Sequence, residues 1–289
     1  MFVPMPKFAG CWRNGGTMKW IFMGKSSRKE TENGNGKKRK APQLVLMRGK
    51  RSLRCAADQF WKLLYPARCA VCDEVLSGKT SLICPDCRGR VRTVGERYCI
   101  TCGKPLHEEQ DVYCFDCASV KHSFTRGRSV FCYEDIRESV YRFKYEGRQE
   151  YASYYAEEAV RVLGEDIKSW HAQALIPIPL HKDKLRKRGY NQAALFAEEL
   201  SKRLGIPVLD KVLVRERNTA PQKGLNREER QKNLKKAFKF VQNDVKLKTI
   251  ILIDDIYTTG STADAAGDVL RQSGIKNIYV VTLASGNGI

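Results

Sequence analysis

Two sets of side chains in this 289-residue chain have the types and spacing that chemistry demands. The first lies in TIILIDDIYTTGSTADAA (249–266), where an apolar run ends in the adjacent carboxylates of Asp254 and Asp255 and a hydroxyl-rich turn follows. Ligands of open α/β sheets gather beyond the carboxyl ends of strands, which is where this pair falls if the run is a strand. Thr258, Thr259, Ser261 and Thr262 then offer hydroxyls beside the amides that open a helix, and Gly260 lets the backbone approach a ligand closely. An amide nest of this kind suits a phosphate, while the nearby carboxylates suit sugar hydroxyls and a magnesium ion. The ligand so described is a ribose 5-phosphate group held with Mg2+. A strand ending in two aspartates is also a Walker B pattern, but its companion loop is missing: in the GKS at Gly24 to Ser26, Lys19 stands where the first glycine belongs. An ordinary N-cap explains one or two of the hydroxyls, not the set.

The second set is cysteines. Eight of the eleven form the Cys-x-x-Cys pairs Cys69/Cys72, Cys84/Cys87, Cys99/Cys102 and Cys114/Cys117, with eleven residues from Cys72 to Cys84 and again from Cys102 to Cys114. One pair can grip one face of a tetrahedral ion and two pairs close a four-thiolate site, so two structural zinc ions are expected. Sequential pairing puts Cys69, Cys72, Cys84 and Cys87 on one ion and the other four on the second; spacing alone leaves an interleaved arrangement open. A thioredoxin-like redox pair is the rival reading of one such motif, and four of them in a Gly- and Pro-bearing segment favour metal. Pro85, Gly103 and Pro105 are expected at the sharp turns, and Cys11, Cys55 and Cys132, which lack partner motifs, as free or buried thiols.

The elements that must position these groups alternate. Strands are expected at 128–133, 174–180, 208–214, 249–254 and 278–284. Helices are expected at 135–145, 150–163 (closed by Gly164), 191–204, 226–237 and 262–273. Strands separated by helix-length segments imply an α/β fold with a mostly parallel sheet. Ahead of it, residues 55–120 read as a short helix (55–66) and a double zinc-ribbon module, leaving 121–289 as the α/β domain. Residues 1–54 hold 14 Lys/Arg against 2 acidic residues, +12 of the total +20, and are expected to be a disordered basic extension. They read as an unstructured addition, a start misplaced upstream of Met47, or a tether to a polyanion. No apolar run reaches the ~18 residues of a membrane span, and no secretory signal opens the chain, so a cytoplasmic location is expected.

The stretch ILIDDIYTTGST resembles the phosphoribosyl pyrophosphate loop of type I phosphoribosyltransferases. With the paired ribbons beginning at LLYPARC, FKYEGR (143–148), IPIPLHKDKLRKRGYNQA (176–193) and RNTAPQKGLNREERQKNLKKAF (217–238), the chain from about Cys69 to Ala284 resembles the ComF family. The resemblance implies a phosphoribosyltransferase-type domain that binds phosphoribosyl pyrophosphate with Mg2+. It further implies a role with single-stranded DNA in natural transformation, beside proteins of the DNA-uptake machinery. It implies that Asp254 and Asp255 grip ribose hydroxyls and that residues 258–262 grip the 5-phosphate. Arg188, Tyr190, Asn191 and Gln192, with Lys144, Tyr145, Gln222 and Arg230, are the expected contacts to pyrophosphate or nucleic acid. The alternative is an active transferase in which the aspartates steady an oxocarbenium-like ribose. Where such enzymes carry small residues and glycine after their second strand, this chain has Pro179, Leu180 and His181.

Overall fold

The apolar run before the aspartate pair forms an inner strand of a parallel sheet. The computed structural model describes residues 66–76, 82–106, 108, 110–216, 237–241 and 246–286. Six strands follow in chain order: β1 (Arg126–Cys132), β2 (Ala174–Pro177), β3 (Leu213–Arg215), β4 (Phe238–Phe240), β5 (Thr249–Tyr257) and β6 (Asn277–Ser285). Four of them make an all-parallel sheet in the order β1-β6-β5-β2, and β3 pairs antiparallel with β4. Among them lie helices α1 (Pro85–Arg90), α2 (Phe115–Ser119), α3 (Tyr133–Tyr145), α4 (Tyr151–Ser169), α5 (Lys182–Arg188), α6 (Gln192–Leu204) and α7 (Ser261–Gln272). This is the mostly parallel α/β architecture expected from the alternation. No helix among the described residues is long and apolar enough to cross a membrane.

Successive side chains of a strand point to opposite faces, so a strand apolar at every position needs both faces covered. On β5, Ile251 and Ile253 enter one core cluster with Ile136 and Phe143 of α3, Tyr155 of α4 and Phe196 of α6. Ile250 and Leu252 enter the other, with Ala266 and Leu270 of α7 and Leu213 and Phe238 of the β3–β4 pair. The cysteine modules divide the same way: Cys69, Ala70, Ile83 and Cys87 belong to the first cluster, and Cys99, Cys102, Cys114, Cys117 and Phe124 to the second. The segment between them runs along the outer edge of β1. There Thr93 bridges Phe131, the Val94 N–H donates to the Val130 carbonyl (2.9 Å), and the Cys132 N–H donates to the Arg92 carbonyl (3.2 Å). An edge that would otherwise expose unpaired backbone is thereby closed.

The two modules are one pattern repeated. The Asp73 N–H donates to the Cys69 carbonyl as the Gly103 N–H does to that of Cys99, and the bridge Arg68 to Val75 matches Tyr98 to Pro105. Both residues after the second cysteine are left-handed, Asp73 at φ 67° and Gly103 at φ 75°. Asp73 carries that cost with its carboxylate gripped by Arg148 (2.7 Å) and Tyr151.

Several boundaries differ from the sequence-based expectation. Helix α4 passes through Gly164 to Ser169 because Leu163 and Ile167 are fully buried, a gain exceeding the ~1 kcal/mol that an interior glycine costs. Strand β2 stops at Pro177, where the prolines of IPIP remove ladder donors. Strand β5 runs past the aspartates because Asp254, Ile256 and Tyr257 pair with Thr282, Ala284 and Ser285 of β6. Of 208–214 only the end is strand, Val208 making a single bridge to Leu175. Pro85 opens helix α1 rather than a turn. The extension 1–54, the helix expected at 55–66 apart from Pro66, and that at 226–237 apart from Ala237 lie outside the described residues.

A methyl group at Gly103 would stand 2.5 Å from Arg128 Cα and 2.6 Å from the Gly127 carbonyl oxygen, all backbone. Gly103→Ala should therefore cost about 2 kcal/mol or more in urea-monitored unfolding, whereas Gly147→Ala, also at positive φ but with open space around it, should cost less.

Candidate functional site

At the carboxyl end of β5 the strand parity separates the two carboxylates. Asp254 lines a small hollow with Tyr257, Thr258, Gly260, Ser261 and Thr262. Asp255 is turned toward α3 and forms an ion pair with Lys144 at 2.8 Å. The Asp255 N–H also donates to Asp254 Oδ1 (2.8 Å). Burial first, and then the charge of Asp255, push the Asp254 carboxyl up to about 7, against the opposing pull of that amide, Lys144 and Arg215. The loop then turns into α7 through Gly260 at φ 77°, and no side chain caps the helix. Thr259 Oγ1 and Ser261 Oγ lie 2.8 Å apart, so a hydroxyl pair stands beside uncapped helix amides that carry the positive end of the helix dipole. An anion with a hydroxylated neighbour fits this arrangement of donors and acceptors.

A basic rim faces the aspartates. The basic stretch after β2 is helix α5, capped by His181, whose Nδ1 accepts from the Asp183 N–H (3.3 Å), and closed by Gly189 at φ 80°. Arg188 at its end lies 4.8 Å over the Tyr145 ring, donates to the Tyr145 hydroxyl (3.0 Å) and donates to Gln192 Oε1 (3.0 Å). Desolvation, and then the guanidiniums of Arg215 and Arg188, hold the Lys184 ammonium below its ordinary value. Tyr190, Asn191 and Gln192 direct their polar atoms inward. Tyr190 donates to the Phe143 carbonyl, and Asn191 donates to the Ile178 carbonyl (3.0 Å) while capping α6. The Gln192 side chain is buried beside the Lys144 carbonyl. These three tie β2, α3 and α6 together and set the positions of Arg188 and Lys144. Gln222 and Arg230 lie outside the described residues. Arg215 was not singled out from the sequence. It stands just before the RNTAPQ block, on β3, and the folded chain brings it near enough to Asp254 for their charges to act on each other.

The cysteines gather sequentially. The four sulfurs of Cys69, Cys72, Cys84 and Cys87 lie within 4.8 Å of one another, as do those of Cys99, Cys102, Cys114 and Cys117. Zn–S bonds of ~2.3 Å in a tetrahedron set sulfur separations of about 3.8 Å. Cys72 and Cys84 stand at 3.8 Å and Cys102 and Cys114 at 3.6 Å, so both tetrads fit zinc. In the first, backbone N–H groups of Val71 and Cys84 point at Cys69 Sγ (3.4 and 3.3 Å) and that of Cys87 at Cys84 Sγ (3.4 Å), the donors a metal thiolate requires.

Comparison with known proteins finds both kinds of module. A model of the double zinc ribbon domain matches residues 60–118, and one of the phosphoribosyl transferase domain matches 191–288. Competence protein F of Haemophilus influenzae is 30% identical over 224 residues, covering 75% of this chain and 96% of its own length. The chain belongs to the ComF family. Its relatives there include competence protein ComFC of Streptococcus pneumoniae, 30% identical over 222 residues (72% of this chain, 90% of that protein). DNA utilization protein YhgH of Escherichia coli strain K12 is 26% identical over 226 residues, covering 75% and 96%. In this ComF-family chain the two modules are the paired cysteine tetrads and the sheet whose strand β5 carries Asp254.

Because the Asp254 pKa is higher folded than unfolded, the stability this group contributes is present below about pH 4 and is lost as pH rises through about 7. Asp254→Asn should therefore match wild type in urea unfolding near pH 3, gain on it as pH rises from 4 to 7, and exceed it by about 2 kcal/mol or more at pH 8. Metal analysis should find two zinc ions per chain, and Cys84→Ser and Cys114→Ser should each lose one of them.

Proposed function

We propose that this chain binds phosphoribosyl pyrophosphate with Mg2+ at the end of β5 and engages single-stranded DNA along the adjoining basic face. It would act in the cytoplasm during DNA uptake, beside proteins of that machinery. One observation carries the reading: a carboxylate pair, an uncapped helix start beside a hydroxyl pair and a cluster of cations meet at one sheet end. In this reading the amides and hydroxyls of Thr258, Thr259, Gly260, Ser261 and Thr262 take the 5-phosphate. Asp254 and Asp255 accept from the ribose hydroxyls. Lys144, Lys184, Arg188 and Arg215 face the pyrophosphate or the DNA backbone, with Gln222 and Arg230 assigned to the same role. When bound, Mg2+ supplies charge neutralisation for the phosphates beside the carboxylates. Tyr145, 55% exposed and 5.0 Å from the ring of Tyr141, offers a face on which a base can stack. The names of the relatives, two competence proteins and a DNA utilization protein, support the DNA part.

Calorimetry with phosphoribosyl pyrophosphate and Mg2+ should give saturable binding that Asp254→Asn/Asp255→Asn weakens at least about tenfold. Single-stranded DNA affinity should fall steeply with salt and by about 1–3 kcal/mol in Tyr145→Ala; a flat salt dependence removes the DNA part. Pyrophosphate release with any added base, lost in the double variant, would make the chain a transferase instead of a binder.

A further inference from the structure

The segment that leaves the second tetrad is clamped to the helix that starts at the phosphate loop, and His122 is its centre. The His122 side chain is 1% exposed. Its Nδ1 lies 2.9 and 3.1 Å from the two carboxylate oxygens of Asp264, in the first turn of α7, and its Nε2 lies 3.4 Å from Cys117 Sγ. One imidazole thus touches a tetrad sulfur on one side and the start of α7 on the other. The grip continues along the helix: the Ser123 N–H donates to Asp264 (2.8 Å), its hydroxyl donates to Asp268, and Arg271 donates to its carbonyl (2.6 Å). The ring of His122 also stacks on Phe124 (4.7 Å), which meets Tyr257 edge-on, so the end of β5 is held by the same assembly. Gly260, the hinge of the loop, lies against it: a Cβ there would come 2.9 Å from His122 Cε1 and collide with the Tyr257 hydroxyl.

We propose that His122 is a positioning residue that couples the second cysteine tetrad to the loop 258–262, so that the state of the tetrad sets how well the loop amides are presented to a phosphate. The first tetrad packs in the cluster on the opposite face of the sheet and has no such link among the described contacts. Coupling of this kind is reciprocal, so phosphate at the loop also favours the closed tetrad. The ligand half of the inference rests on the function proposed above; the mechanical half does not.

The test is hydrogen exchange on the full chain, read at peptides covering residues 257–270 and, for reference, α4, with zinc content and ribose 5-phosphate affinity measured in parallel. His122→Phe keeps a ring against Phe124 and removes both polar links; Asp264→Asn weakens one of them and serves if the first variant does not fold. Both should retain two zinc ions, exchange roughly tenfold faster at 257–270 with α4 unchanged, and bind ribose 5-phosphate about tenfold more weakly. Cys114→Ser should speed the same peptide, and Cys84→Ser should not. Unchanged exchange at 257–270 in the His122 and Asp264 variants overturns the coupling, and so does acceleration shared equally by α4. If wild type fails to bind ribose 5-phosphate while local exchange still responds, the ligand reading falls and the coupling stands. Intact binding with no exchange response gives the reverse.

Discussion

A parallel strand apolar at every position must be covered on both faces, and the architecture around β5 answers that constraint. Three helices lie on one face, while the other has α7 and a two-stranded pair. Each ribbon is too small to enclose a core of its own, since chains of a few dozen residues bury too little surface to stand alone. Each therefore lends its cysteines and a few apolar residues to one face of the sheet, and the linker between them closes the β1 edge. The ribbons and the sheet share their cores.

The same alternation shapes the site. Two adjacent carboxylates on a strand cannot face the same way, so Asp254 joins the hollow under the loop while Asp255 turns to Lys144. The result is a polar end to an apolar strand, with one carboxyl kept near neutrality by burial and the other compensated by a cation. Around it the basic rim is fixed from beneath by Tyr190, Asn191 and Gln192, whose polar atoms join neighbouring elements and leave Arg188 at the cleft.

Much of this was legible in the residues. The Cys-x-x-Cys spacings specified two tetrads, because a tetrahedral ion needs two such pairs, and the strand-turn-helix around Asp254 placed the loop. Boundaries were less legible. Gly164 looked like a helix stop and is not one, because burial of Leu163 and Ile167 outweighs its propensity. The Lys- and Arg-rich stretch 182–188 has no element predicted from its sequence and is a helix, capped by His181 and Gly189, whose roles emerge only in the folded geometry.

By itself the sequence determined the kinds of chemistry present: four-thiolate sites, a phosphate loop with acidic partners and a basic surface, all of them local spacings that a few bonds of backbone carry. Only the tertiary structure decided which groups meet. It put the two tetrads on opposite faces, brought Arg215 near Asp254, and joined His122, which touches Cys117, to Asp264 across 142 residues of chain. The reason is that such contacts arise from how elements pack, and packing depends on the whole sheet instead of on any neighbourhood in the chain.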